Sequence, residues 1–513
     1  MEVQVLSFYY CLLFLALFFI SKLLILRGKN LPPSGPLCLP VIGHLYLFKK
    51  PLYRTLARIS GSYGPIIILR FGSRRVLVVS SPSVAEECLT TNDIIFANRP
   101  RLLVGKYLGY DYTIIPWAPY GDHWRNLRRI TTVEIFSSTR LQMFSNVRIS
   151  EVHSLLRRLA ADDTGESFKT VDMKSMFFEL TLNFMMMMIA GKRYYGNNVS
   201  DLEKAKRFRE IVKESFVVGG VSNVGDFLPA LRWVGLFKDL EKKLVNLQGK
   251  RTGFMQELIE EHRMVGTHQT QSKEEKKTKT MLDVLLSLQE AEPDYYTDEI
   301  IIGIILTLLS AGTDSASGTM EWTMTLLLNH PKVLKKAQAE IDSTIGQGRL
   351  INESDLTNLP YLFCIINETL RMYPSGPLLA PHESSEECIV GGYTIPRGTM
   401  LLVNVWAIQN DPKLWVEPRE FRPERMEGVG GGSDGFKLMP FGSGRRGCPG
   451  EALGMRMVGL ALGLLIQCFE WKRIGQEMVD TEEGTIGLSL SKGKPLEASC
   501  RPRSTMLGLL SQI

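Results

Sequence analysis

One ten-residue stretch restricts the fold more than any other: Phe441-Gly-Ser-Gly444-Arg-Arg446-Gly-Cys448-Pro-Gly450. It sets a single cysteine among four glycines, with an arginine two residues before it and a phenylalanine at its start. A thiolate that ligates a metal has to stay ionised, which requires positive charge and backbone N–H groups around the sulfur. Glycine permits positive φ and lets a backbone approach a flat ligand closely. The competing reading is a glycine-rich turn around an ordinary buried cysteine, and the density of specified positions weighs against it.

The chain has material for a covered site above such a loop. Its 513 residues are 44% hydrophobic and 22% charged, enough for a large core in one mostly helical body or in several domains. The net charge of +6 is mild and comes without the concentrated basic patch of a nucleic-acid binder. Eight irregularly spaced cysteines without a C-x-x-C support neither a zinc site nor a disulfide framework, and fit a reducing compartment.

Residues 3–20 are almost wholly apolar, and the run resumes after Lys22 to residue 26. A helix of this length rises roughly 27–36 Å, enough to cross a bilayer core. Glu2 precedes the segment, and Lys22, Arg27 and Lys29 follow it, which places the rest of the chain in the cytosol. A cleaved secretory signal would carry a basic start, a shorter apolar run and a small-residue cleavage site. The expected organisation is a membrane anchor at 1–26, a proline-rich hinge at 27–40 containing Leu31-Pro-Pro-Ser-Gly-Pro36, and one catalytic body at 41–513.

Along the body, β-branched runs at 66–71 and 75–79 flank Gly72-Ser73 and predict a hairpin. The proline- and glycine-containing stretch 93–120 predicts an irregular loop. Trp124 and Arg128 share one helix face, and Arg125 and Arg129 an adjacent one. The methionine run 185–188 lies in an apolar helical stretch and reads as core. Charged residues 266–280 predict an exposed linker. A long apolar helix is predicted over 297–328, starting at Thr297 and interrupted by Ala311-Gly-Thr-Asp314-Ser315. Glycine inside a helix costs ~1 kcal/mol, and a buried carboxylate is costly unless paired, so this interruption needs a reason. Glu368 and Arg371 stand i,i+3 and can pair. Prolines at 374, 377 and 381 predict an extended segment up to His382. Residues 428–432 read as a flexible turn, and 485–490 as a last pocket-lining turn. Residues 451–469 predict a helix whose N-terminus points at Cys448 and favours a thiolate there.

The pattern F-x-x-G-x-R-x-C-x-G at 441–450 resembles the haem-binding loop of cytochrome P450 monooxygenases. So do, in family order, W-x-x-x-R at Trp124 and Arg128, [AG]-G-x-[DE]-[TS] at 311–315, E-x-x-R at Glu368 and Arg371, and P-E-R ending at Arg425. The resemblance covers the whole chain. It implies a mainly α fold with small β-sheets (α+β), in which haem b lies between an oxygen-side helix and the cysteine loop. Cys448 would be the axial iron ligand, with Phe441, Gly444, Arg446 and Gly450 shaping its loop. Trp124, Arg128, His382 and Arg446 would meet the haem propionates, although His382 could instead be an ordinary exposed histidine. Asp314 and Ser315 would deliver protons to bound O2. Glu368, Arg371 and Arg425 would form a structural brace. Ala311, Leu378, Leu379, Ala380 and Ile486 would contact substrate.

Two positions depart from the family pattern. Ser315 stands where threonine is usual, and Met426 where phenylalanine ends the P-E-R-F motif. The first puts in doubt coupling efficiency and simple hydroxylation as the only outcome. The resemblance further implies a hydrophobic small-molecule substrate and electrons from an NADPH-cytochrome P450 reductase in the same endoplasmic reticulum membrane. Arg125 and Arg129 would either help that reductase dock or form an ordinary solvated face. Several runs, among them Gly191-Lys-Arg-Tyr-Tyr and Ile466-Gln-Cys-Phe-Glu-Trp, are similar to the plant isoflavone 2′-/3′-hydroxylase-like group. That group acts on flavonoids, lignans, terpenoids and indolic compounds. Oxidative ring closure such as methylenedioxy-bridge formation, a reductase-independent hydroperoxide isomerase, and a non-enzymatic haem or metabolite binder stand as alternatives.

Overall fold

The computed structural model describes residues 30–161, 167–196, 201–219, 224–233, 235, 237–269, 279–429, 435–484 and 489–513. The expected anchor, the linker over 270–278, most of the glycine turn near 430 and Ile486 lie outside the described residues.

Strands β1 (Ile66–Phe71) and β2 (Arg74–Val79) form the expected hairpin, with Ile66 opposite Val79 and Phe71 opposite Arg74. Helices follow: α1 (Pro82–Leu89), α2 (Asp122–Ile130), α3 (Met173–Ala190), α4 (Asp298–Asn329) and α5 (Pro360–Met372). Two short strands, β3 (His382–Glu383) and β4 (Met400–Val403), return to the hairpin, and α6 (Glu451–Cys468) closes the core. The sheet order is β1-β2-β4-β3, with β4 parallel to β2 and antiparallel to β3. This register puts His382 opposite Leu401, on the edge strand of the sheet.

Helix α4 is the axis of the core. Its Thr297 cap accepts a hydrogen bond from Ile300 N, as the start signal predicted. Most of its apolar residues are buried against α3, α5 and α6. Both α4 and α6 are long and apolar enough to cross a membrane, with mean hydropathy 1.6 and 1.4, but 61% and 72% of those windows are buried inside the protein. They are core helices. Met185, Met186 and Met188 of α3 are buried, so the methionine run packs the core as expected.

Two expectations are corrected. The helix Lys238–Gln269 runs into the stretch read as linker, because no proline or cap stops it there. Residues 374–382 are not extended throughout. Leu379 N donates to Gly376 O at 3.0 Å, and Leu379 has φ +53°, so a turn interrupts the segment before β3. The prolines restrict their own positions and leave 376–379 free to fold back. The proline segment after residue 30 lies against the body, where Ile68 N donates to Pro33 O at 2.9 Å.

Candidate active site

A cavity opens between α4 and the cysteine loop. Thr307, Ala311, Gly312 and Ser315 of α4, with Met185 of α3, form one wall. Phe441, Cys448, Pro449 and Gly450, with Leu453 and Met457 of α6, form the opposite wall. Gly312 has a packing reason besides openness: a Cβ there would lie 2.7 Å from Met185 Sδ. A larger residue there would require the flexible Met185 side chain to move.

The cysteine loop is held at both ends. Cys448 N donates to Phe441 O at 2.9 Å, and Gly447 N to Gly444 O at 3.0 Å. Gly444 has φ +69°, and a Cβ on it would stand 2.4 Å from Leu89 O and 2.6 Å from Asp93 Oδ1. No other residue fits that approach to the end of α1. Asp93 also accepts from Arg445 N at 3.1 Å and pairs with Arg445 Nε at 3.1 Å. Gly450 caps α6. Burial and the Glu451 carboxylate push the Cys448 thiol up, while the N–H groups of Gly450 and Glu451 and the Arg128 charge favour the thiolate. No group of three or more His, Cys, Asp and Glu poised to hold a metal ion exists among the described residues. A lone cysteine facing this cavity suits a metal carried within an organic group.

Behind the loop stands a fully buried ion pair. Arg371 donates to both carboxylate oxygens of Glu368, at 2.7 and 2.9 Å, and both side chains are 0% exposed. Arg425 Nε lies 2.9 Å from Glu368 Oε1. The expected brace thus assembles, and one residue missed in the sequence connects it to the loop. Gln409 Nε2 donates to Leu370 O and Arg371 O, each at 3.0 Å, and Gln409 Oε1 accepts from Met439 N at 3.0 Å, two residues before Phe441. Met426 is buried, consistent with a packing replacement.

One rim of the cavity is strongly cationic. Arg99, Arg128, Arg446 and His382 all line it. Arg446 spends its guanidinium on Ala97 O (2.7 Å), Ile115 O (3.1 Å) and Ala118 O (2.6 Å), and stacks over Trp124 at 4.3 Å. Burial, with Arg99 and Arg128 beside it, holds it down to about 9. Trp124 donates its indole N–H to Ile115 O at 3.2 Å, and Arg128 donates to Gly447 O at 2.7 Å. His382 is buried, which rules out the exposed alternative; a ring nitrogen sits 2.8 Å from Phe96 O. Burial and the Arg99 and Arg446 charges push its pKa well below the ordinary histidine value, while the Phe96 carbonyl opposes that fall.

Arg99 was not foreseen, since no motif marks it inside the irregular 93–120 stretch. It donates to Ala380 O and Pro381 O at 2.7 and 2.8 Å, and burial holds it down to about 10. Its Nε is buried without a hydrogen-bond partner. Three guanidiniums crowd this rim, and none pairs with a carboxylate among the described residues. Such a cluster calls for anionic groups. With apolar walls, an orphaned guanidinium N–H and a cysteine at the base, the residues fit a flat group bearing iron and edge carboxylates, as haem does.

On the opposite wall, Ser315 faces the cavity and donates to Ala311 O at 2.7 Å. Asp314 does not line the cavity; its carboxylate accepts from Ser489 Oγ. Among the expected substrate contacts, Ala311, Leu379 and Ala380 line the cavity. Leu378 does not. The turn at 376–379 sends it into the cluster around Leu56 and Ile59 instead. Arg125 pairs with Asp122 and Arg129 donates to Asn126 Oδ1 at 2.8 Å, both on the exposed side of α2.

A protein-family model described as Cytochrome P450 matches residues 33–497. A (+)-piperitol/(+)-sesamin synthase of Sesamum radiatum is 50% identical over 94% of this chain and 93% of its own. An isoflavone 2′-hydroxylase of Glycyrrhiza echinata is 47% identical over 98% of both chains. A solved zebra fish cytochrome P450 structure with abiraterone superposes with a TM-score of 0.72 at 25% identity, over 88% of this chain and 99% of that one.

Proposed function

This chain belongs to the cytochrome P450 family, and we propose that it oxidises a hydrophobic plant specialised metabolite of phenolic, terpenoid or indolic type. It is a haem-thiolate monooxygenase that takes O2 and reductase-supplied electrons from NADPH. When bound, haem b supplies the oxygen-activating chemistry. The carrying observation is one apolar cavity with the Cys448 thiol at its base and Ser315 on the facing wall.

In this reading Cys448 would be the thiolate that holds the haem iron; the Gly450 and Glu451 N–H groups and Arg128 favour its ionised form against the burial that raises its pKa. Arg99, Arg128 and Arg446 would hold the propionates with His382, where an anion would also favour protonation of the imidazole, while Trp124, its one N–H donated to Ile115 O, backs Arg446 by stacking. Asp314 and Ser315 move protons toward the oxygen side. Ala311, Leu379 and Ala380 orient the substrate and exclude water. Phe441 covers the sulfur side, and Gly444 and Gly450 set the loop's path. Arg125 and Arg129, exposed on the helix whose Arg128 touches Gly447, suit an acidic reductase surface. Residues 3–20 anchor the body to the endoplasmic reticulum membrane, with the catalytic domain in the cytosol.

Hydroxylation is the first reading. Methylenedioxy-bridge formation is the second, favoured by the half-identical sesamin synthase. The test uses reductase-supplemented microsomes and a panel of isoflavones, lignans, terpenoids and indoles, read by mass. Gain of one oxygen supports hydroxylation, and loss of two hydrogens supports ring closure. The reduced, CO-treated microsomes are expected to give the red-shifted Soret band of thiolate-ligated haem. An unshifted band in the intact protein removes Cys448 from its role.

A further inference from the structure

Asp314 is a carboxyl in the middle of α4 whose partner comes from far along the chain. Ser489, in the turn before the last strand, donates its hydroxyl to Asp314 Oδ2. Ser315, the next residue on the helix, closes on Ala311 O at 2.7 Å. Acid and alcohol are thus held by two separate hydrogen bonds. Burial raises the Asp314 pKa, while the Ser489 hydrogen bond and the charge of Lys174, facing it from α3, oppose that rise.

The turn carrying Ser489 is itself tied to the cavity wall. Leu490 N donates to Ser375 O at 3.0 Å, and Leu490 O accepts from Trp322 Nε1 at 2.9 Å. Trp322 stacks on Tyr373 with ring centroids 3.8 Å apart and an interplanar angle of 7°. Ser375 and Gly376 both line the cavity. The cavity wall at 375–376 is thus joined by one hydrogen bond to the peptide that follows Ser489.

We propose that Ser489 is a positioning residue that holds Asp314 turned from the cavity until an occupant seated against Ser375 and Gly376 shifts the 489–490 turn and releases the carboxyl toward Ser315. This rests on the reading of Asp314 and Ser315 as the proton-delivering pair. The Asp314 O–H bond then breaks as Ser315 takes that proton and gives its own hydroxyl proton to dioxygen in the cavity, reduced by electrons from the reductase, which leaves Asp314 as a carboxylate. Solvent at exposed Lys174 restores the proton to Asp314. Proton supply is thereby linked to occupancy, and wasteful oxygen reduction is suppressed when the cavity holds no substrate.

The test needs no identified substrate. Ser489→Ala, Ser489→Thr, Asp314→Asn and the Ser489→Ala/Asp314→Asn double variant are made in the full chain, and each is checked for the thiolate-type CO band. Substrate-free NADPH oxidation and peroxide release are measured with reductase. Ser489→Ala is expected to raise both by at least about threefold, Ser489→Thr to restore the wild-type rate, and the double variant to lose the increase. Difference infrared spectra, with the Asp314 band assigned by its loss in Asp314→Asn, should show that band moved in Ser489→Ala and its titration midpoint at higher pH. An unchanged substrate-free rate in Ser489→Ala, or an increase that survives in the double variant, overturns the proposal. Unchanged turnover in Asp314→Asn instead sinks the relay reading and this proposal with it; the infrared shift, which needs no turnover, tells the two failures apart.

Discussion

The two walls of the cavity are built by opposite means. The Cys448 wall is over-determined. Gly444 fits only because nothing larger can approach Leu89 O, Asp93 ties down Arg445, and Gln409 links Met439 to the buried Glu368–Arg371 pair. The Ser315 wall is defined by what it lacks. Ala311 and Gly312 present almost no side chain, and among the described residues Ser315 bonds only its own helix. A wall held by charges and positive φ tolerates few substitutions. A wall held by small side chains can change one atom at a time.

Four substitutions probe this contrast, from the largest expected effect downward. Cys448→Ala removes the thiolate-type band from the reduced CO spectrum and abolishes turnover. Retention of either would mean that the held wall does not carry the chemistry. Glu368→Gln leaves Arg371 buried without its counter-charge, which costs about 3–5 kcal/mol. Urea unfolding of the purified protein measures the loss, and bound haem should fall with it. Gln409→Leu strands buried carbonyls and the Met439 N–H, at about 1–3 kcal/mol. That loss should appear in the same unfolding curves and be non-additive with Glu368→Gln, since both act on one network. Ser315→Thr adds one methyl to the permissive wall. It should leave stability and the CO band unchanged and retain or improve the fraction of NADPH recovered as product. An added methyl is worth at most about 1–3 kcal/mol in substrate preference. A diverted product would show that the open wall is a specificity device at that position.

The same contrast explains what was legible in the sequence. Elements set by local rules were read directly: the hairpin at Gly72-Ser73, the Thr297 start of α4, the Glu368–Arg371 spacing and the cysteine loop. Residues whose role depends on distant partners were missed. Arg99 reaches Ala380 O across 281 positions, and Gln409 bridges segments that share no pattern. Leu378 was assigned to the cavity on the family resemblance, and the turn at 376–379 sends it elsewhere. Asp314 was correctly singled out as a buried acid needing a reason, but its partner Ser489 lies 175 residues away. Periodicity and spacing have no reach over such separations.

The tie between Arg446 and Ala97 O spans 349 residues. At a synthesis rate of ~5–20 residues per second, donor and acceptor leave the ribosome roughly 20–70 s apart. For that interval the carbonyls of Ala97, Ile115 and Ala118 have no guanidinium to receive, and the chain contains no sulfur at the base of the cavity. A site that needs both Arg446 and Cys448 is therefore complete only once all but the last eighth of the chain has been made.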